Sequence, residues 1–132
     1  MKKTNALFIT LLFSAALTFM SSCSKEQNAL NLLAGTWNYQ TIKVISSGLS
    51  GPASTFGFEK LHFSICADFN THCDGYIVQG GNHTDFQYDL NKEATQANVY
   101  NTDGSTNTYL ITKLDKSNLV YTYGGYEFTL TK

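Results

Sequence analysis

The sequence contains no arginine, a single proline and no run of basic residues beyond its first three positions. All nine cationic side chains are lysines, and charged residues make up only 14% of the chain. Nucleic-acid binding needs clustered cations that displace counterions from phosphates, so this composition argues against a nucleic-acid partner. Charge is scarce but aromatic residues are not, since they form 14% of the sequence. Together with frequent β-branched residues, they favour β-sheet.

Long apolar runs are also lacking, apart from one at the N-terminus. Lys2 and Lys3 precede an apolar segment over residues 6–20. That segment is about 15 residues long, whereas a membrane-spanning helix needs roughly 20. A positive start, a short apolar stretch and the small residues Ser21 and Ser22 are typical of a secretory signal peptide. We therefore predict export from the cytoplasm.

The small residues are followed at once by a cysteine. Met20-Ser21-Ser22-Cys23 resembles the lipobox of bacterial lipoproteins, although that motif usually begins with leucine. The resemblance implies a signal peptide over residues 1–22, acylation of Cys23 by a fatty acid such as palmitate, and a lipid anchor in the outer membrane. The protein would lie on the periplasmic face or at the cell surface, as in the Bacteroidota lipoproteins that this Asn-, Thr- and Tyr-rich chain resembles. The alternative is an ordinary export signal with an incidental cysteine.

Removal of residues 1–22 leaves a length suited to one domain. Two of the nine lysines are removed with the signal, so seven lysines face ten acidic residues and the formal charge is −3. A chain of this charge has no basic patch for binding a membrane surface. The lipid on Cys23 would provide the membrane attachment instead.

Two further cysteines, Cys66 and Cys73, remain after the lipobox cysteine is assigned. Exported proteins fold in an oxidising compartment, so we predict a disulfide between them. The loop it closes is short and predicts a stabilisation of about 2 kcal/mol. The same cysteines with His62 and His72 have the ligand types of a zinc site, which is the alternative, although disulfide formation competes with it.

Turn residues divide the mature chain into short alternating segments. Residues 26–34 have helical spacing and complete a tether over residues 23–34, before a barrel domain over residues 35–132. The eight predicted strands cover residues 36–45, 56–66, 73–79, 83–90, 95–100, 107–114, 119–123 and 126–131. Changes of phase predict bulges near Gln40 and near Glu59. An all-β, eight-stranded antiparallel up-and-down barrel would remove the exposed edges of such a sheet.

The start of the predicted barrel resembles the lipocalins. A helical turn leads into Gly35-Thr36-Trp37, which resembles the Gly-x-Trp signature of that family, and residues 111–132 resemble the end of lipocalin-like domains in Bacteroidota lipoproteins. The resemblance implies that Trp37 packs across the closed end of the barrel beneath a basic residue. Without arginine, Lys132 or Lys113 would take that place. The chain is shorter than a typical lipocalin, which leaves room for only a small cavity or none.

Other kinds of site have little support. Residues 70–75 resemble the start of a calcium loop, but the twelfth position is Gly81, where a bidentate glutamate is needed. His83 and Asp85 stand two residues apart, but no glycine-framed nucleophilic serine accompanies them. We therefore predict neither an enzyme nor a bound metal or cofactor.

Two functions remain, and both use a monomeric barrel. An eight-stranded barrel is either filled by side chains or able to hold one small ligand. The preferred hypothesis is a lipid-anchored protein that binds a small apolar or amphipathic molecule, beneath a mobile lid formed by residues 46–55. The alternative is a filled barrel that contacts an unknown protein partner through its outer surface, as lysozyme inhibitors do. The predicted ligand contacts are Phe56, Phe58, Phe86, Tyr88, Tyr109, Tyr121 and Phe128.

Overall fold

A computed structural model describes residues 27–67 and 71–132. Cys23 and the predicted signal peptide lie outside the described residues, so acylation remains a prediction. Residues 27–33 are helical, in agreement with the helical spacing of the sequence. No helix in the two described stretches is long and apolar enough to span a lipid bilayer.

Nine antiparallel strands follow the helix. They are β1 (Gly35–Val44), β2 (Ser50–Pro52), β3 (Phe58–Phe63), β4 (Cys73–Gln79), β5 (Asn82–Leu90), β6 (Gln96–Asn101), β7 (Thr106–Leu114), β8 (Asn118–Tyr123) and β9 (Tyr126–Thr131). Strands β3 to β9 pair in sequence order, β3 pairs with β1, and β1 pairs with β9. These eight strands close into a barrel, which confirms the predicted fold.

The segment over residues 46–55 is more ordered than the sequence suggested. Strand β3 pairs only with residues 35–38 of the longer strand β1, so the upper half of that edge needs another partner. Strand β2 supplies it by pairing with residues 41–43. A 3₁₀ helix, Ala53–Phe56, then leads to Gly57, whose φ of 77° suits glycine. The predicted loop therefore contains a strand and a helical turn.

Both predicted bulges are present. The register of β1 against β9 shifts between Tyr39 and Thr41, and that of β3 against β4 shifts between Phe58 and Lys60. Each bulge inserts one residue and reverses the inside–outside phase of the strand. Tyr39 and Ile42, three residues apart, are consequently both buried.

The barrel has a filled lower end. The helix over residues 27–33 packs there through Leu30 and Leu33, both fully buried. The indole Nε1 of Trp37 donates a hydrogen bond to the carbonyl oxygen of Leu33 at 2.7 Å. The Lys132 ammonium lies 4.4 Å from the centre of the Trp37 ring and donates to the carbonyl oxygen of Leu32 at 2.7 Å. Lys132, rather than Lys113, is therefore the basic residue over Trp37.

The predicted disulfide lies at the same end. Cys66 and Cys73 are joined across the connection between β3 and β4, with Cα atoms 5.7 Å apart. Both thiols of the alternative zinc site are therefore used. Of the two histidines considered with them, His62 lies on the outer wall and shares a hydrogen bond with Thr36 at 2.8 Å. The disulfide therefore links the two ends of the β3–β4 connection at the lower end of the barrel. At the upper end, neighbouring strands are connected by turns.

Candidate functional site

The upper half of the barrel contains a cavity of about 750 Å³. It opens at the end where the Gly80-Gly81 and Gly124-Gly125 turns connect neighbouring strands. Its walls are formed by Tyr39, Ile42, Phe56, Phe58, Ile77, Gln79, Thr84, Phe86, Val99, Asn101, Asn107, Tyr109, Tyr121, Tyr123, Gly124, Tyr126 and Phe128. Every strand of the closed barrel contributes at least one of these residues.

One side of the cavity is a continuous aromatic wall. The ring of Phe58 lies 5.1 Å from that of Tyr39 and 5.5 Å from that of Phe128. Tyr121 stacks on Phe128 with ring centres 4.9 Å apart, and Tyr109 stacks on Tyr121 at 4.4 Å. These residues come from β3, β1, β9, β8 and β7, which are consecutive around the barrel. Strand pairing therefore brings together rings that are far apart in the sequence.

Three tyrosine hydroxyls lie deep in this wall. The hydroxyls of Tyr39 and Tyr121 are 2.7 Å apart and share a hydrogen bond. Tyr109 stacks on Tyr121, and in addition to burial the electrostatic interaction between these two phenols contributes to the raised pKa of Tyr121. Burial raises the pKa of Tyr109 to about 12, and it raises the pKa values of Tyr39 and Tyr121 well above their usual range. All three phenols are therefore neutral at physiological pH and act as hydrogen-bonding groups.

The mouth of the cavity is partly polar. Phe56, Tyr123 and Tyr126 are exposed there, and so are the cavity-lining residues Gln79 of β4 and Thr84 of β5. The Tyr123 hydroxyl donates to the Asn107 side-chain oxygen at 2.8 Å. The interior of the cavity is thus apolar and aromatic, whereas its opening is polar and uncharged. This arrangement is expected of a small-molecule site.

Six of the seven predicted ligand contacts line this cavity. They are Phe56, Phe58, Phe86, Tyr109, Tyr121 and Phe128. Tyr88 does not, because it lies two positions further towards the lower end of β5. It packs against Phe63 at 4.8 Å, and its hydroxyl donates to the carbonyl oxygen of Ser64 at 2.6 Å. Tyr88 is therefore part of the packed lower core, and ligand contact by the other six stays a prediction.

Several lining residues are not among the predicted ligand contacts. Tyr39 and Ile42 are brought inside by the bulge at Gln40, which was itself predicted. Thr84 and Asn101 lie in the same phase as the apolar residues of their strands, so strict alternation would have found them. Tyr123 and Tyr126 flank a two-residue turn and reach the mouth because their strands end there.

The histidines considered for catalysis or metal binding lie outside the cavity. His62 and His83 stack on opposite sides of the ring of Tyr76, at 4.7 and 4.3 Å. His83 also hydrogen-bonds Asp85 at 2.8 Å. Within residues 27–67 and 71–132 there is no group of three or more His, Cys, Asp or Glu residues arranged to hold a metal ion. Residues 73–75, the last three of the segment that resembles the start of a calcium loop, form part of β4.

The predicted lid over residues 46–55 is held to the barrel. Its first turn is closed by hydrogen bonds from Gly48 to Val44 and from Val44 to Leu49, both at 2.8 Å. The Ile45 amide also donates to the Gly125 carbonyl oxygen at 3.0 Å. Phe56, at the end of the 3₁₀ helix, is the part of this connection that reaches the cavity mouth.

Comparisons with known proteins agree with this architecture. No protein-family model matches the chain, and no curated protein matches it. Among solved structures, the fold is similar to that of a lipocalin-like protein from Bacteroides uniformis ATCC 8492. The two share 14% sequence identity over 76% of this chain and 98% of the other, with a TM-score of 0.50. At this identity the likeness concerns the fold alone: the chain forms a closed, eight-stranded, lipocalin-like barrel.

Proposed function

We propose that this protein binds a small apolar or amphipathic molecule inside the upper half of its barrel. The observation that supports this proposal is the cavity of about 750 Å³ with its continuous aromatic wall. Pockets for small organic ligands commonly measure about 300–1,000 Å³ and have mostly apolar walls with a few polar groups. The alternative of a filled barrel acting through its outer surface has less support, because side chains fill only the lower half.

We further propose that the protein is anchored to a membrane through an acylated Cys23. Gln27 lies at the lower end of the barrel, where its side chain donates to the carbonyl oxygen of Cys66 at 3.4 Å. Four residues can extend by at most about 14 Å. An anchor at Cys23 would therefore keep the lower end near the membrane and direct the cavity mouth away from it.

Fatty-acid labelling tests the anchor. Cells expressing the full chain or its Cys23→Ser variant are grown with an alkyne-bearing palmitate analogue, and the purified proteins are compared. The proposal predicts label on the wild-type protein only. Equal labelling of both proteins would contradict acylation at Cys23.

Binding is tested with the neutral fluorescent probe N-phenyl-1-naphthylamine, whose emission rises in apolar surroundings. Thr84 and Gln87 lie on β5 but point in opposite directions, Thr84 into the cavity and Gln87 towards solvent. Thr84→Trp should obstruct the mouth of the cavity and weaken probe binding at least tenfold, whereas Gln87→Trp should leave binding unchanged. Absence of binding to the wild-type protein, or equal binding to all three, would contradict the proposed function.

A further inference from the structure

The chemistry of the cavity restricts the class of ligand. We propose that the ligand is an uncharged molecule with a planar ring and a hydrogen-bond acceptor that reaches the hydroxyls of Tyr39, Tyr109 and Tyr121. This inference rests on the proposed function, because it concerns the same cavity. It draws on three properties of the site: its lack of charge, the number of its hydroxyl protons and its stack of aromatic rings.

The first property is the lack of charge. None of the described residues that line the cavity is an aspartate, glutamate, lysine, arginine or histidine. Likewise, no charged residue in the described part of the chain is buried. A charged ligand group would lose its hydration shell on entering and would find no opposite charge to replace it. Because the free-energy cost of burying an unpaired charge is several kcal/mol, the cavity selects against ions.

The second property is the number of hydroxyl protons. The hydroxyls of Tyr39 and Tyr121 share one hydrogen bond, and the ring of Tyr109 stacks on that of Tyr121. Each phenol has one proton and only one is used in the bond between Tyr39 and Tyr121, so at least one proton remains. This proton belongs to a hydroxyl in the cavity wall, and it can be donated to a carbonyl, ether or hydroxyl oxygen of a ligand.

The third property is the stack of aromatic rings beside these hydroxyls. Tyr109 and Tyr121 are nearly parallel, with 13° between their planes, and Tyr121 and Phe128 differ by 19°. A cavity beside such a stack faces the edges of the rings, and ring edges pack favourably on the face of a planar aromatic ring in an edge-to-face arrangement. An aliphatic chain would contact the same surface without that geometric match.

Selection against charge is tested with two probes that share one skeleton. N-phenyl-1-naphthylamine is neutral, and 8-anilino-1-naphthalenesulfonate adds one sulfonate to it. Only the fluorescence that is lost in Thr84→Trp is counted, which removes probe bound elsewhere. We expect the neutral probe to bind at least tenfold more tightly. Equal affinities would overturn this inference and leave the proposed function standing, whereas failure of both probes to bind would overturn both.

The hydrogen bond is tested with fluorenone and fluorene, which have the same tricyclic shape and differ in one carbonyl oxygen. Their affinities are measured by displacement of N-phenyl-1-naphthylamine from wild-type protein and from the triple variant Tyr39→Phe/Tyr109→Phe/Tyr121→Phe. Loss of all three hydroxyls is required, because any one that remains keeps a donor proton. The variant retains the rings, so its affinity for the probe verifies that the cavity persists.

We expect the ratio of fluorenone affinity to fluorene affinity to fall about fivefold in the triple variant, which corresponds to one neutral hydrogen bond. Tyr76→Phe is the control, because it removes a hydroxyl outside the cavity, from the ring that lies between His62 and His83. It should leave the ratio unchanged. An unchanged ratio in the triple variant, or an equal fall in Tyr76→Phe, would overturn the assignment of these hydroxyls to the ligand.

Discussion

The hydroxyls of Tyr39 and Tyr121 lie 2.7 Å apart inside the barrel, although 82 positions separate the two residues in the sequence. They meet because β9 pairs with both β1 and β8 and so brings those two strands within side-chain reach. The pair provides polarity in a mostly aromatic wall at a low cost, since one hydroxyl donates to the other. It also makes the protonation of this interior sensitive to alkaline pH.

Alkaline titration should reveal the buried tyrosines. Burial raises the pKa of Tyr88 and of Tyr109 to about 12 and raises the pKa values of Tyr39 and Tyr121 further. At pH 11, absorbance at 295 nm should therefore report at most four of the eight tyrosines as ionised in the folded protein. Ionisation of more than four while the far-ultraviolet circular dichroism is unchanged would contradict this burial.

The same pKa shifts make stability depend on pH. A tyrosine whose pKa is higher in the folded than in the unfolded state binds its proton more tightly when folded. Its contribution to stability is complete below the unfolded pKa of about 10 and is lost as pH rises above that value. The free energy of unfolding should fall by about 1.4 kcal/mol per pH unit for each such tyrosine. Between pH 10 and 12, denaturant titrations should show that Tyr109→Phe makes the fall in unfolding free energy with pH less steep, by the contribution of one tyrosine. An unchanged slope would contradict the raised pKa of Tyr109.

Gly75 leaves room for a ring of the cavity wall. A Cβ atom at this position would collide with the Phe86 ring and lie 2.6 Å from the carbonyl oxygen of His62. Gly75→Ala should therefore lower the free energy of unfolding by about 1–3 kcal/mol, as overpacking does. Gly51→Ala is the matched control, because nothing lies within 4 Å of a Cβ atom added there. Urea denaturation that ranks the two variants as equally stable would be inconsistent with this packing.

The contact between Lys132 and Trp37 should contribute to the stability of the lower end. Lys132→Met keeps much of the side-chain volume but removes the cation over the indole and the hydrogen bond to Leu32. A cation–π contact near the surface is worth about 0.5–1 kcal/mol. We expect a loss of about 1 kcal/mol in urea denaturation. Lys116→Met, at an exposed turn position, should change stability by much less, and equal losses would count against the contact.

Loss of the disulfide should weaken the fold without weakening ligand binding. The disulfide joins Cys66 to Cys73, seven positions apart, at the lower end of the barrel. The double variant Cys66→Ser/Cys73→Ser should lose about 2 kcal/mol of stability, because the unfolded chain regains the freedom of a short loop. Reduction of the wild-type protein should have the same effect. Affinity for N-phenyl-1-naphthylamine should stay within about twofold wherever the barrel is folded, since ordinary substitutions far from a site act on it independently.

Local sequence patterns were sufficient to predict the eight strands of the closed barrel, both bulges at Gln40 and Glu59, and the Cys66–Cys73 disulfide. These features depend on neighbouring residues, such as the alternation of Tyr126, Phe128 and Leu130 along β9. Strand β2 was missed because its formation depends on how far β3 extends along β1, which is a matter of register. Only the folded chain determines that register.

The position of a residue along the barrel axis is the second feature that could not be predicted from the sequence. Alternation indicates whether a side chain points inward, and it placed both Phe86 and Tyr88 inside. It does not indicate whether an inward residue lies in the open or the filled half. Phe86 lines the cavity, whereas Tyr88, two positions along the same strand, is packed in the lower core. The volume of the cavity likewise results from register between strands distant in sequence.

Native mass spectrometry of the mature protein, purified from the cells that make it, tests most directly whether the upper half of the barrel holds a ligand. The wild-type protein should retain a neutral organic molecule that dissociates on collisional activation. Thr84→Trp, which obstructs the mouth of the cavity, should appear without it, and Gln87→Trp should retain it. A wild-type protein that appears only at its bare mass, and that also fails to bind N-phenyl-1-naphthylamine, would contradict the proposed ligand-binding function.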